Sequence, residues 1–138
     1  MKRIINIITA IALVFALAVS LTACSKVDPW ESAKYTEDTT LGDGSTTIYV
    51  QVKVNDHSVK FTVNTDKTIL GEALLETGII NGDIGEFGLY VKYANGIRAD
   101  YDLDQAYWAF YENGEYMMTG VDSVEINDGG QYEIVYSK

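Results

Sequence analysis

The sequence has almost nothing with which to staple itself or hold a metal. Among 138 residues there is one cysteine, one histidine and one proline. A lone cysteine cannot close an intrachain disulfide, and without a second histidine or a free thiol no zinc site built from cysteine and histidine alone can be assembled. The single histidine, His57, falls beside a turn and reads as a solvated turn residue. Basic residues are scarce too, 10 against 20 acids, for a net charge of −10. Since Lys and Arg neutralising phosphates supply much of the affinity for nucleic acids, that class of partner is excluded. No motif pairs a serine or cysteine nucleophile with an activating base, no histidine pair exists, and no glycine-rich run has the spacing of a phosphate loop, so the chain reads as a non-enzyme. Its length suits one domain, whose stability must come from core burial.

Long apolar runs are also rare, and the one present lies at the N-terminus. Lys2 and Arg3 precede an apolar stretch over residues 4–21, which ends in Leu21-Thr22-Ala23-Cys24. A basic start, an apolar run and small residues before a cleavage point form an export signal. The last four residues resemble the bacterial lipobox, and that resemblance implies that Cys24 is acylated and becomes the first mature residue. Residues 1–23 are then a signal peptide. Their removal takes away Lys2 and Arg3 and no acid, leaving 8 basic against 20 acidic residues, a net of −12. The expected location is the outer face of the cell membrane, held by lipid. Residues 24–46 are polar, with Gly42, Gly44 and several threonines, and read as a flexible tether in which Trp30 and Tyr35 are stray aromatics.

What the chain does have is alternation and aromatics. Ile48, Val50, Val52 and Val54 alternate with polar partners, and after Asn55-Asp56 so do Val59, Phe61 and Val63, which predicts a half-buried hairpin. Ile69, Leu70, Ala73, Leu74 and Leu75 recur at helical spacing, with Asp66 or Thr68 as cap and Gly78 as a left-handed stop. Residues 81–88 carry glycines at 82, 85 and 88 and read as a loop. A second hairpin turns at Asn95-Gly96. Asp100, Asp102 and Asp104 imitate the opening of a calcium loop, but Gln105 stands where its glycine is needed and Tyr111 where its bidentate glutamate is needed, so they read as a solvated edge.

The sharpest signal is Tyr107-Trp108-Ala109-Phe110-Tyr111-Glu112-Asn113-Gly114, an aromatic strand running into a turn that tolerates two positive φ angles. Alternation puts Trp108 and Phe110 on one face, expected inward, and Tyr107, Ala109 and Tyr111 on the other. The closing strand covers Tyr132 to Tyr136 after Asp128-Gly129-Gly130. Two strands, a helix and further hairpins predict an α+β fold in β-grasp order, a mixed sheet with one covering helix over residues 47–138.

The set Leu70-Gly71-Glu72-Ala73-Leu74, Gly85-Glu86-Phe87-Gly88, Asn95-Gly96, Tyr107 to Tyr111 with Asn113-Gly114, Gly120-Val121-Asp122 and Asp128-Gly129 occurs in one order. In that order it resembles the C-terminal domain family of transcobalamin and intrinsic factor, which also occurs alone in Gram-positive lipoproteins. Gly130 departs from the family pattern, where many relatives have aspartate. The resemblance implies a β-rich domain covering one side of a corrinoid such as cobalamin, passed on to a membrane transporter. The implied contacts are Phe87, Tyr90, Tyr107, Trp108, Tyr111, Asn113, Gly114 and Tyr116. The alternative is a surface module docking a protein or cell-wall polymer through the same aromatics or an open sheet edge.

Overall fold

A computed structural model describes residues 26–138, so Cys24 and the signal segment lie outside the described residues. Nine strands form two sheets, with one main helix. Strands β2 (Thr46–Val54) and β3 (His57–Thr65) are the predicted first hairpin, paired from Thr46↔Thr65 to Val54↔His57. Their alternation is the reason for their burial: Ile48, Val50, Val52, Val54, Val59, Phe61 and Val63 share one face and are at most 1% exposed. Each such side chain withdrawn from water contributes about 1.5–3 kcal/mol.

The last strand, β9 (Gln131–Ser137), runs parallel to β2, and β7 (Tyr107–Glu112) is antiparallel to β9. Parallel first and last strands in the middle of the sheet, a hairpin to one side and a helix packed over the core are the β-grasp order predicted from the sequence. Helix α1 (Leu70–Glu76) buries Leu70, Gly71, Ala73 and Leu74. It ends as expected at Gly78, φ +70°, a left-handed conformation that glycine adopts without penalty. Its start is different from the expectation. The cap position is Ile69, whose hydrocarbon side chain cannot cap; its backbone bridges Glu125, and the Leu70 N–H donates to the Val124 carbonyl instead. Asp66 instead accepts hydrogen bonds from the Ser45 backbone N–H and hydroxyl, which hold its carboxyl below the usual range.

Two regions depart further from the sequence reading. The expected loop at residues 81–88 is mostly strand: β4 (Ile80–Gly85) and β5 (Gly88–Ala94) form a hairpin whose tip is Glu86-Phe87, and β6 (Ile97–Arg98) completes a separate three-stranded sheet. Gly82 is there for close approach rather than flexibility. A Cβ on Gly82, at the register shift of this hairpin, would stand 2.0 Å from the Tyr90 carbonyl oxygen.

The expected tether is built into the fold from Asp28 onward. Asp28 caps a 3-10 turn, Pro29–Ser32, by accepting from the Trp30 N–H. Trp30, Ala33, Tyr35 and Leu41 pack against the core, and β1 (Thr39–Leu41) joins β3 as a parallel edge strand. The physical reason lies in Asn95. Held at φ +51° in the turn after β5, it is 1% exposed and bonds the Tyr35 backbone twice, Oδ1 accepting from N–H at 2.9 Å and Nδ2 donating to C=O at 2.8 Å. Its own carbonyl accepts from the Lys34 N–H. A polar segment can be ordered once its backbone groups have such partners. His57 belongs to the same structure: its ring stacks on Trp30, 5.1 Å between centroids and 9° apart, and its Nε2 lies 3.2 Å from Asp28 Oδ2. Among the described residues no helix is long and apolar enough to cross a membrane.

Candidate functional site

The aromatic strand β7 pairs with β9 on one side only. On its other side the short strand β8 (Glu115–Tyr116) covers Tyr111 and Glu112, and the Met117 N–H donates to the Phe110 carbonyl. Alternation along the strand then turns the backbone groups of Trp108, two residues earlier, to that same edge. Beyond that edge lies β5 of the second sheet. The gap between them is a groove of about 260 Å³, walled by Leu89, Tyr90 and Val91 on one side, Tyr107, Trp108 and Phe110 on the other, and closed by residues 116–121.

Four of the predicted contacts meet there: Tyr90, Tyr107, Trp108 and Tyr116. Tyr90 and Tyr107 are just over 40% exposed, so their rings are available at the rim, and Tyr116 is held by an edge-on contact with Tyr111 at 5.6 Å. Tyr111 therefore supports a groove residue without lining the groove. The face assignment for the strand holds for Trp108, 6% exposed and edge-on to Tyr136, while Phe110 is half-buried. Ala109 is buried as well, which the two-face scheme did not anticipate. Its methyl sits opposite Val135 and between the larger Tyr107 and Tyr111 on the same face.

Three predicted residues are elsewhere. Asn113 and Gly114, at φ +50° and +81°, form the expected turn, but they line a different concavity on the outer face of the large sheet. Phe87 is 97% exposed at the tip of the β4–β5 hairpin and lines neither. The groove also contains residues that aromatic content alone did not flag, Leu89, Met117 and Met118. The apolar run after Asn113-Gly114 was the available signal for the methionines, whose flexible thioether chains fit irregular surfaces.

Trp108 carries one further polar feature. Its indole Nε1–H is buried and, among the described residues, has no hydrogen-bond partner. A buried donor without an acceptor costs on the order of 1–3 kcal/mol, so such groups usually have a reason to persist. The floor at residues 120–123 is fixed by Asp122, whose Oδ2 accepts from the Leu89 N–H at 3.1 Å and so ties the 3-10 turn Val121–Ser123 to the second sheet.

Of the three aspartates that imitate a calcium loop, Asp100 and Asp104 are engaged locally. Asp100 caps the short helix α2 (Tyr101–Asp104) by accepting from the Asp102 N–H, and lies 3.3 Å from Lys92. Asp104 takes both ends of the Arg98 guanidinium at 2.8 Å, and this pairing holds its carboxyl down to about 2. Lys92 also bonds Asp83 at 2.8 Å, and its ammonium is raised by Asp83 first and Asp100 second. Among the described residues no three His, Cys, Asp or Glu side chains come together as metal ligands would.

The fold is shared with proteins of known structure. A 1.30 Å crystal structure of a candidate metal-binding protein from Ruminococcus gnavus ATCC 29149 matches with a TM-score of 0.63 and 29% identity, over 68% of this chain and 98% of that one. Haptocorrin, solved in complex with Cbi, matches with a TM-score of 0.54 and 20% identity, over 70% of this chain and 26% of that one, so the likeness is to one part of a longer protein. No curated protein matches the chain. The family described as a domain of unknown function, DUF4430, matches residues 66–138, more than half of the sequence, and the chain belongs to that family.

Proposed function

We propose that this protein is an extracytoplasmic lipoprotein without catalytic activity that holds a largely apolar, flat small molecule of the corrinoid class and delivers it to a membrane transporter. The observation that carries the reading is the groove between β5 and β7, which aromatic and thioether side chains line beside Trp108. Such a lining offers broad apolar contact with few polar groups to fix orientation, the usual make-up of a small-molecule site. The ligand class is drawn from the fold shared with part of haptocorrin, whose structure holds Cbi. Metal binding, the property named for the Ruminococcus protein, is not carried over, because the described residues offer no ligand cluster.

A groove of about 260 Å³ accepts one edge of a corrinoid and leaves the rest in water. Affinity is then modest, in the micromolar range or about −8 kcal/mol. Calorimetric and spectral titration of the full chain with cobinamide and cobalamin tests this. Tyr107→Ala and Tyr116→Ala should each weaken binding at least about tenfold with an unchanged circular dichroism spectrum. Absence of heat and of a spectral shift at about 1 mM of either corrinoid would sink the reading. The anchor is tested by labelling with a palmitate analogue, which should mark the wild type and spare Cys24→Ala.

The docking-module reading retains one observation in its favour. Ile84 is 79% exposed, Phe87 97% and Met118 88%. Such apolar side chains left in water suit contact with a partner.

A further inference from the structure

The outer face of the large sheet carries a second concavity, of about 540 Å³, on the side away from the core. Its composition follows from the pairing registers. Thr40 of β1 lies opposite Thr62 of β3, Thr62 opposite Tyr49 of β2, and Tyr49 opposite Gln131 of β9. The row ends at Asn113, whose N–H donates to the Gln131 carbonyl at 3.0 Å. Gln51 stands on the same face in the next row, between Lys60 and Glu133. Five neighbouring positions thus present hydroxyls and amides around one aromatic ring, that of Tyr49, which is 48% exposed.

These side chains contrast with polar groups nearby. Thr47 and Asn64 bond each other, and the Asp38 carboxylate accepts from the Lys60 backbone N–H at 2.9 Å. Among the described residues, the Thr40, Thr62, Tyr49, Gln51, Gln131 and Asn113 side chains take part in no comparable hydrogen bond. Charge on this face is balanced: Lys53 pairs with Glu133 at 3.0 Å, and Lys60 sits beside Asp38, in a chain whose net charge is −10. A polyanion is repelled by the chain as a whole, and an apolar ligand would strip water from amides and hydroxyls without replacing their hydrogen bonds.

We propose that the outer face of the β1–β3–β2–β9 sheet is a binding groove for a neutral, linear glycan, with Tyr49 stacking on a sugar ring and Gln51, Thr62 and Gln131 bonding its hydroxyls. A pyranose has C–H groups on its faces and hydroxyls around its edge, which matches an aromatic ring flanked by neutral donors and acceptors. Length also fits. The row from Thr40 to Asn113 crosses four inter-strand spacings of about 4.8 Å, roughly 19 Å in all, the span of about four pyranose units. Part of one wall comes from β1, the segment whose polar sequence disguised it as a tether.

The test is calorimetric titration of the full chain with chitohexaose, cellohexaose and a heparin hexasaccharide. At least one neutral hexasaccharide should bind with a Kd under about 1 mM and the heparin fragment should not. Tyr49→Ala and Gln51→Ala should each weaken that binding about tenfold or more, Tyr49→Phe should keep most of it, and Tyr107→Ala, in the other groove, should leave it unchanged. The proposal is overturned if neither neutral sugar binds at about 10 mM, if heparin binds as well as they do, or if Tyr49→Ala binds like the wild type. Because the Tyr107 and Tyr49 variants separate the two grooves, loss of corrinoid binding would leave this result standing.

Discussion

The six-stranded sheet and the three-stranded sheet of this domain are held by different means. In the first, β2 and β3 contribute seven aliphatic and aromatic side chains that are essentially removed from water, so its stability is distributed over a close-packed face. In the second, Ile80, Val91, Ala94 and Ile97 reach the same core, but Ile84 and Phe87 are left in water, and the attachment is completed at points: Asn95 to Tyr35, Asp122 to Leu89, Lys92 to Asp83 and Asp100, Arg98 to Asp104. A packed face yields only as a whole, whereas a pinned sheet can loosen one attachment at a time. The groove proposed for ligand lies between the two, with one wall on each.

Three substitutions probe that difference. Phe61→Ala removes a fully buried ring from the packed face and should cost about 3–5 kcal/mol, read as a lower midpoint in urea with a single transition. Asn95→Ala takes away both side-chain bonds to Tyr35 and places alanine at φ +51°, at a cost of roughly 2 kcal/mol. Its signature is local: amide hydrogen exchange should speed up over residues 28–41 and 79–98 while β2 and β9 keep their protection. Equal acceleration throughout would mean that the two sheets are one cooperative unit.

Arg98→Ala has the smallest effect and depends on pH. In the fold the Arg98 guanidinium holds Asp104 at about 2, against 3.8 for a free aspartate. A carboxyl depressed in this way stabilises the fold above pH 3.8 and loses that contribution as pH falls through about 2. The wild type should therefore lose more stability than Arg98→Ala between those two values in an acid titration followed by circular dichroism. The difference is small because the pair is partly exposed, with side chains 46% and 22% accessible. Identical acid profiles would show that this pin carries no stability.

The parts of the fold legible in the sequence are those where burial imposes a period. Val50, Val52 and Val54 announce a strand because alternate positions must be apolar, and Asn95-Gly96 and Asn113-Gly114 announce turns because few other pairs accept two positive φ angles. Strand β1 was hidden since an edge strand of three residues buries little. Thr39, Thr40 and Leu41 carry no pattern, and what orders them is the β3 backbone, which also donates from the Lys60 N–H to the Asp38 carboxylate just before them. Residues 81–88 read as loop because glycine depresses strand propensity, and the Cβ clash that makes Gly82 necessary is a contact with Tyr90 that only the folded hairpin creates. For the groove, the aromatic strand pointed to Tyr107, Trp108 and Tyr116, but local sequence could not say that Asn113 and Gly114 face the opposite side of the sheet or that Phe87 stands clear of both concavities.

The parallel pairing of β2 with β9 fixes when this domain can form. Tyr49 meets Gln131 and Lys53 meets Val135, partners some eighty residues apart, and β7 reaches the rest of the large sheet only through β9. As the chain emerges from a ribosome, the β2–β3 hairpin and α1 can fluctuate into shape, but the sheet stays in two halves until residues 131–137 arrive. Contacts this distant make folding slow, with the large loop-closure entropy met late. Deleting those seven residues would remove the strand that joins the halves, and the first hundred and thirty residues would remain unassembled however well each hairpin is encoded.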